Sequence, residues 1–300
     1  MKRYCLYLFI LIGISCSAEL KAQKNGTVYK GNDPAVRYTG RTLVSPDGSV
    51  AFDWVGTYLE TRFTGGKLSV KVSETGTSYY NVFVDGKLHK VVKVCGTDTL
   101  IHLVSGIDKR IHSLKIQKRS EGEFGKTTVH QFVLSGSGRL AEEPAVRTRH
   151  IEFIGNSLTC GYGTDGKHRD EPFLVETENC NLTFASMVAR YYDADYTLIA
   201  HSGRGAARNY GDSVRVSKVT MKDRMLNTFD EDLTHKWNFK EYRPDLVVIN
   251  LGSNDFSTEP HPYKSEFTKA YKQILAQLRE HYGDIPILCI YPVAMQAPVF

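Results

Sequence analysis

The chain has 300 residues, of which 41% are apolar and 24% charged, and a formal net charge of +5. That balance describes a soluble globular protein with room for two domains, and excludes a disordered or fibrous chain. The charge is only mildly basic, and no Lys/Arg block is dense enough to suggest a nucleic-acid surface.

Residues 1–22 start with Lys2 and Arg3, run apolar from Tyr4 to Ile14, then turn small and polar. This is the order of a secretory signal, with cleavage expected after Ala22 and a secreted or periplasmic product. The run is too short to span a membrane. Lipidation at Cys16 is the lesser alternative, because Gly13 stands where such a site wants a large aliphatic residue. Cleavage would leave Cys95, Cys160, Cys180 and Cys289, none at metal-site spacing, so no metal is expected. Cys289 lies in an apolar run and reads as a buried thiol. Cys160 and Cys180 could pair in an oxidising compartment or stay free.

Residues 26–135 read as strand after strand: Val50–Trp54, Tyr58–Phe63, Lys67–Val72, Tyr79–Val84, Leu100–Val104, Ile111–Gln117 and Thr127–Leu134. Asp47-Gly48, Gly65-Gly66, Asp85-Gly86 and Gly106 punctuate them as turns. Asp85-Gly86 is the strongest hairpin signal, joining Tyr79–Val84 to Lys87–Val92. Many short strands without a helix predict a jelly-roll-like β-sandwich. Residues 136–150, with Pro144, read as a short linker. Residues 151–300 then alternate: strand Ile151–Ile154, helix Asn181–Tyr192, strands Tyr196–Ala200 and Leu246–Ile249, a helix from about Lys264 to Tyr282, and strand Ile287–Tyr291. Phe267, Tyr271, Ile274, Leu275 and Leu278 share one face of the long helix. This half predicts a parallel α/β sheet.

Three of its strands run directly into glycine-bearing loops. Gly155-Asn156-Ser157 follows the first, Ser202-Gly203-Arg204-Gly205 the second, and Gly252-Ser253-Asn254-Asp255 the third. Loops at the carboxyl ends of parallel strands converge on one crevice. A serine on a sharp strand-to-helix turn is a common nucleophile, and glycine N–H and asparagine side-chain donors suit an oxyanion. Taken singly, each loop would be an ordinary polar connection. Gly203-Arg204-Gly205 also begins a dinucleotide fingerprint, but Arg208 holds the third glycine position, so no cofactor is expected. Arg204 and Arg208 could bind a sugar or carboxylate, although solvation or pairing with Asp212 is the plainer reading. Trp54 and Trp237 could stack on sugars, but a strand tryptophan is more often core.

This ordered set resembles the SGNH (GDSL-like) hydrolases, with Ser157, Gly203 and Asn254 matching the Ser, Gly and Asn blocks. The string from Phe153 to Gly163 is similar in particular to the two-domain acetylxylan esterases of carbohydrate esterase family two. The resemblance implies an α/β three-layer domain behind the β-sandwich. It also implies a serine esterase that removes O-acetyl groups from xylan-type polysaccharides or oligosaccharides. Ser157 would attack, while its own N–H, that of Gly203 and the Asn254 amide would hold the oxyanion. Asn156 replaces the family's usual Asp and can still hold the loop by hydrogen bonds.

The family takes its histidine from an Asp-x-x-His-Pro element after the last strand, and these residues contain none. A C-terminally truncated domain is the expectation, with another histidine serving as the alternative. His261, beside Pro262, is the weak candidate; His201 reads as a polar loop residue and His168 as solvent-exposed. The competing readings are an SGNH esterase for another acyl substrate and a non-catalytic carbohydrate-binding protein.

Overall fold

The structure, a computed structural model, describes residues 26–142 and 145–292. The expected signal segment 1–22, Cys16 and Pro144 lie outside the described residues.

The first half is built from β1 (Gly26–Lys30), β2 (Val36–Thr39), β3 (Leu43–Val44), β4 (Val50–Phe52), β5 (Tyr58–Val84), β6 (Lys87–Lys118), β7 (Thr127–Ser135) and β8 (Arg139–Leu140). They form one antiparallel system in the order β2-β5-β7-β4-β3, with β6 and β8 on β5 and β1 on β7. The Asp85-Gly86 hairpin forms: both residues have positive φ, 50° and 74°, as a two-residue turn requires. The expected turns at Gly65-Gly66 and Gly106 do not reverse the chain. They lie inside β5 and β6, where the register shifts on both sides of the Gly66–Ile107 pair. A Cβ on Gly66 would sit 2.3 Å from the Ser135 carbonyl oxygen, so glycine marks a bulge packed against β7. Six expected strands therefore merge into two long, bent ones. Their inward faces enclose Phe52, Phe63, Leu68, Val82, Leu103, Phe132 and Leu134.

The second half carries β9 (His150–Gly155), β10 (Asp195–Ala200), β11 (Leu246–Ile249) and β12 (Ile287–Cys289) in the order β10-β9-β11-β12. All are parallel, and Ile154 stands level with Ile199 and Ile249. Strands β9, β10 and β11 are buried on both faces because both are covered. One face, with Ile154, Ile199 and Ile249, packs on α4 (Lys264–Tyr282) through Ile274 and Leu278. The other, with Phe153, Leu198 and Val248, packs on α2 (Phe184–Tyr191) through Ala185 and Ala189. Two four-residue helices, α1 (Ser157–Cys160) and α3 (Met221–Arg224), complete the set among the described residues. The helix expected from Asn181 begins three residues later, because extended Thr183 separates it from a 3₁₀ turn at Cys180–Leu182. Cys289, expected to be buried, is exposed, since β12 is the outer strand of this sheet.

The two halves share an interior. Trp54 belongs to the core under α4, while Val55 and Tyr58 belong to the core under α2. Arg41, 1% exposed, donates to the carbonyls of Met225 and Asn227 and lies 3.5 Å from buried Glu152 of β9. Asp195 at the start of β10 accepts from Arg37, Arg147 and the Tyr58 hydroxyl. Removing one partner of a buried pair leaves the other charge without compensation. Arg41→Ala is expected to cost about 3–5 kcal/mol in urea unfolding; a loss under about 1 kcal/mol would mean that Tyr242 and Tyr282, which also donate to Glu152, suffice without it.

Candidate active site

Ser157 opens α1 at the carboxyl end of β9 and is partly exposed. The turn is sharp because Gly155 has no side chain; a Cβ there would lie 2.0 Å from the Thr159 hydroxyl. Asn156 caps the helix, accepting from the Leu158 N–H at 3.3 Å. Its own amide donates to the Ser253 hydroxyl at 2.9 Å, tying this loop to the one after β11. Asn therefore meets both hydrogen-bonding demands without a charge.

The loop after β10 is tied in from the same side. The Asn254 amide donates to the Arg204 carbonyl at 2.8 Å, which leaves its second N–H available. Asp255, fully buried, accepts from the N–H groups of Ala206, Ala207 and Arg208 at 3.0, 2.6 and 2.9 Å. Gly205 is required here, since a Cβ would meet Asp255 at 2.5 Å. Burial raises the Asp255 carboxyl pKa, and the three N–H donors work against that rise. Gly203 sits at φ +75°, a conformation that favours glycine. Among the described residues, neither the Gly203 N–H nor the Ser157 N–H has a protein acceptor. The two hydrogen bonds place Ser157, Gly203 and Asn254 each within one residue of a tie between their loops.

Two of the candidate bases, His201 and His261, are engaged by carboxylates. His201 is buried, with Nδ1 2.7 Å from Asp230 and Nε2 3.4 Å from Glu123. Burial alone would lower its pKa, but Asp230 and Glu123 outweigh it and push it up to about 10. It is thus a structural imidazolium at neutral pH, not the polar loop residue that sequence suggests. A pKa raised on folding stabilises fully below the unfolded value and fades as pH rises. His201→Gln should therefore cost stability at pH 7 and progressively less towards pH 10 in urea unfolding; a difference that does not change with pH would contradict this. His261 lies beside Glu259, with Nδ1 3.4 Å from its carboxylate, and its carbonyl accepts from Arg215. His168 is exposed, as expected.

Arg208 is fully buried and donates to the carbonyls of Asp212, Val214 and Glu259 and to the Thr258 hydroxyl. It braces the loop and is neither solvated nor paired with the Asp212 carboxylate. Trp54 is core, and Trp237 faces Arg41. Cys160 and Cys180 are separate buried thiols, donating to Glu121 and to the Lys118 carbonyl respectively. Burial pushes Cys180 up to about 12, so it stays a thiol. Two groups bring three metal-type ligand atoms within 4.8 Å: Glu121, Cys160 and Glu178, and His201, Asp230 and Glu231. In the second, Arg224 and His201 already neutralise the acids.

The β-rich half reaches this region. Phe124 stacks on Phe173 at 5.8 Å, and Phe173 on Tyr162 at 3.7 Å. The Tyr162 N–H in turn donates to the Ser157 carbonyl. Sequence offered no signal for this, because neither the strand pattern nor the motifs say where the β6–β7 connection lands.

A parallel sheet with serine, glycine and asparagine loops knitted at its carboxyl end defines an SGNH, GDSL-like hydrolase domain. Family comparison agrees: residues 38–144 match the carbohydrate esterase 2 N-terminal family, and residues 153–300 the GDSL-like lipase/acylhydrolase family. The chain is 34% identical over 258 residues to the cellulase/esterase CelE of Acetivibrio thermocellus, covering 86% of this chain and 31% of that protein. It is 33% identical over 226 residues to an acetylxylan esterase / glucomannan deacetylase of Cellvibrio japonicus, covering 73% and 61%. A structure of a family two carbohydrate esterase from Clostridium thermocellum, in complex with cellohexaose, superposes with a TM-score of 0.82 at 34% identity, over 88% of this chain and 79% of that one. The chain belongs to the family two carbohydrate esterases. It spans about a third and three fifths of the two curated relatives' lengths.

Proposed function

We propose that the protein is a serine esterase that removes O-acetyl groups from xylan-type or related polysaccharides and oligosaccharides. The observation that carries this reading is the joining of the three loops, with the Ser157 and Gly203 N–H groups left without acceptors among the described residues. In the proposed mechanism Ser157 Oγ attacks the acetyl carbonyl. Those two N–H groups and the Asn254 amide receive the oxyanion. A histidine takes the serine proton and returns it to the leaving sugar hydroxyl, and water then releases acetate. The family resemblance implies a histidine from an Asp-x-x-His-Pro element, with His261 the weak alternative; His201 held by Asp230 and Glu123, and His261 lying against Glu259, are in keeping with that. Acetate release from acetylated xylan by active enzyme, lost in Ser157→Ala, tests the reading.

The β-rich half is proposed to be a jelly-roll-like sandwich over residues 26–135, joined through 136–150 to the hydrolase domain at 151–300. The bent β5 and β6, folded around one apolar core, support that. Its Phe124 is proposed to form part of one wall of a cleft suited to an extended sugar chain. Cellohexaose in the relative's structure supports a sugar-chain ligand. The order of residues 1–22 supports secretion, and lipidation at Cys16 is the lesser proposal. Among the described residues no helix is long and apolar enough to cross a membrane.

A further inference from the structure

Glu121 comes from the β-rich half, three residues past the end of β6, yet it is fully buried beside the hydrolase loops. Its Oε2 accepts the Ser202 N–H at 2.5 Å and the Cys160 thiol at 3.3 Å. Ser202 precedes Gly203, and Cys160 ends the helix that Ser157 begins. One carboxylate oxygen thus bridges the nucleophile's helix and the oxyanion loop.

A second carboxyl supports it. Glu178, also fully buried, accepts the Glu121 N–H at 2.9 Å. A carboxyl oxygen of each and the Cys160 sulfur lie within 4.8 Å of one another. Oε1 of Glu121 and Oε1 of Glu178 have no donor among the described residues. Two buried carboxylates facing each other repel, and each bare oxygen costs free energy; one proton held between them removes both problems. Burial, and then Glu121, raise the Glu178 pKa well above the usual carboxylate range, in keeping with that proton. Lys118, whose ammonium donates to Ser78 and to the Glu121 carbonyl, and Arg119, whose Nε donates to the Glu178 carbonyl, are nearby cations. His201, Glu123 and Asp230 form the next layer.

We infer that Glu121 is a positioning residue supplied by the β-rich domain, which, sharing a proton with Glu178, fixes the Gly203 oxyanion donor relative to Ser157. The inference rests on the esterase reading given above. Unlike Ser157, Glu121 touches no substrate; it acts through the Ser202 and Cys160 contacts. The β-rich half is then part of the catalytic assembly and not solely a sugar-binding appendage.

The test is kcat and KM for an aryl acetate in active enzyme carrying Glu121→Ala, Glu121→Gln or Ser157→Ala. A displacement of about 1 Å at such a donor costs roughly 10²-fold, so Glu121→Ala should lose kcat on that order with KM within about threefold. Glu121→Gln should stay within about fivefold of the parent, because its carbonyl still accepts from Ser202 and its NH₂ supplies Glu178 with a donor. A folded Glu121→Ala with parental kcat overturns the inference, and a Gln variant as poor as Ala overturns the shared proton. If the Ala variant does not fold, Glu121→Asp, which withdraws the carboxylate by one methylene, takes its place: reduced kcat supports the inference and parental kcat overturns it. An active Ser157→Ala would instead break the esterase reading; an inactive one beside a normal Glu121→Ala breaks this inference alone.

Discussion

Ser157→Ala is expected to lower kcat for acetyl-ester hydrolysis by roughly 10⁴-fold or more, with binding of the sugar chain little changed. The reason lies in what remains. The Gly203 N–H and the Asn254 amide can still polarise a carbonyl, so a residual rate above water survives, but no acyl-enzyme forms. Helix α1 should tolerate the change, because its cap is the Asn156 side chain and not the serine hydroxyl. The melting temperature should therefore stay within a few degrees of the parent, and a large fall would signal a structural serine. Measuring kcat and KM separately on an aryl acetate distinguishes the two outcomes.

The second large effect concerns the base. Every histidine of the chain is among the described residues, and most are committed elsewhere. His112 lies between Asp85 and Asp108, His130 bonds Ser73, His150 bonds Thr197, and His235 bonds Asp232. His281 stacks on Phe239, His201 is held cationic by Asp230 and Glu123, and His261 sits on Glu259. A serine without its base loses roughly 10⁴-fold. With no such base among these residues, they should hydrolyse aryl acetates only weakly, and supplying the family's Asp-x-x-His-Pro element should gain about that factor. Robust hydrolysis by the 300-residue chain would contradict the assignment and make His261→Ala the decisive variant.

Much of this was legible in the sequence because it depends on local pattern. Asp85-Gly86 specifies a turn whose two positive-φ residues admit few alternatives, and the apolar strands β9, β10 and β11 lead straight into their loops. Gly65-Gly66 misled because glycine serves turns and bulges alike; only the neighbouring Ser135 carbonyl decides between them. His201 misled for a similar reason. Its environment is set by Asp230 and Glu123, remote in sequence, and Glu123 belongs to the other domain. Arg41–Glu152, Asp53 under the Asp230 and Glu231 N–H groups, and Glu121–Glu178 were equally hidden. Sequence alone shows them as isolated charges, which are usually solvated. Their burial depends on how two domains close on each other, and no periodicity records that.

The account stands most directly on where the acetyl group goes. Active enzyme is mixed with an excess of aryl acetate, quenched in acid during the first turnovers, digested and examined by mass spectrometry. The account predicts an acetyl increment on the peptide carrying Ser157, absent in Ser157→Ala and lower in Asn254→Ala, where the oxyanion loses a donor. Acetylation of a different residue, or rapid turnover with Ser157 never acetylated, would contradict it.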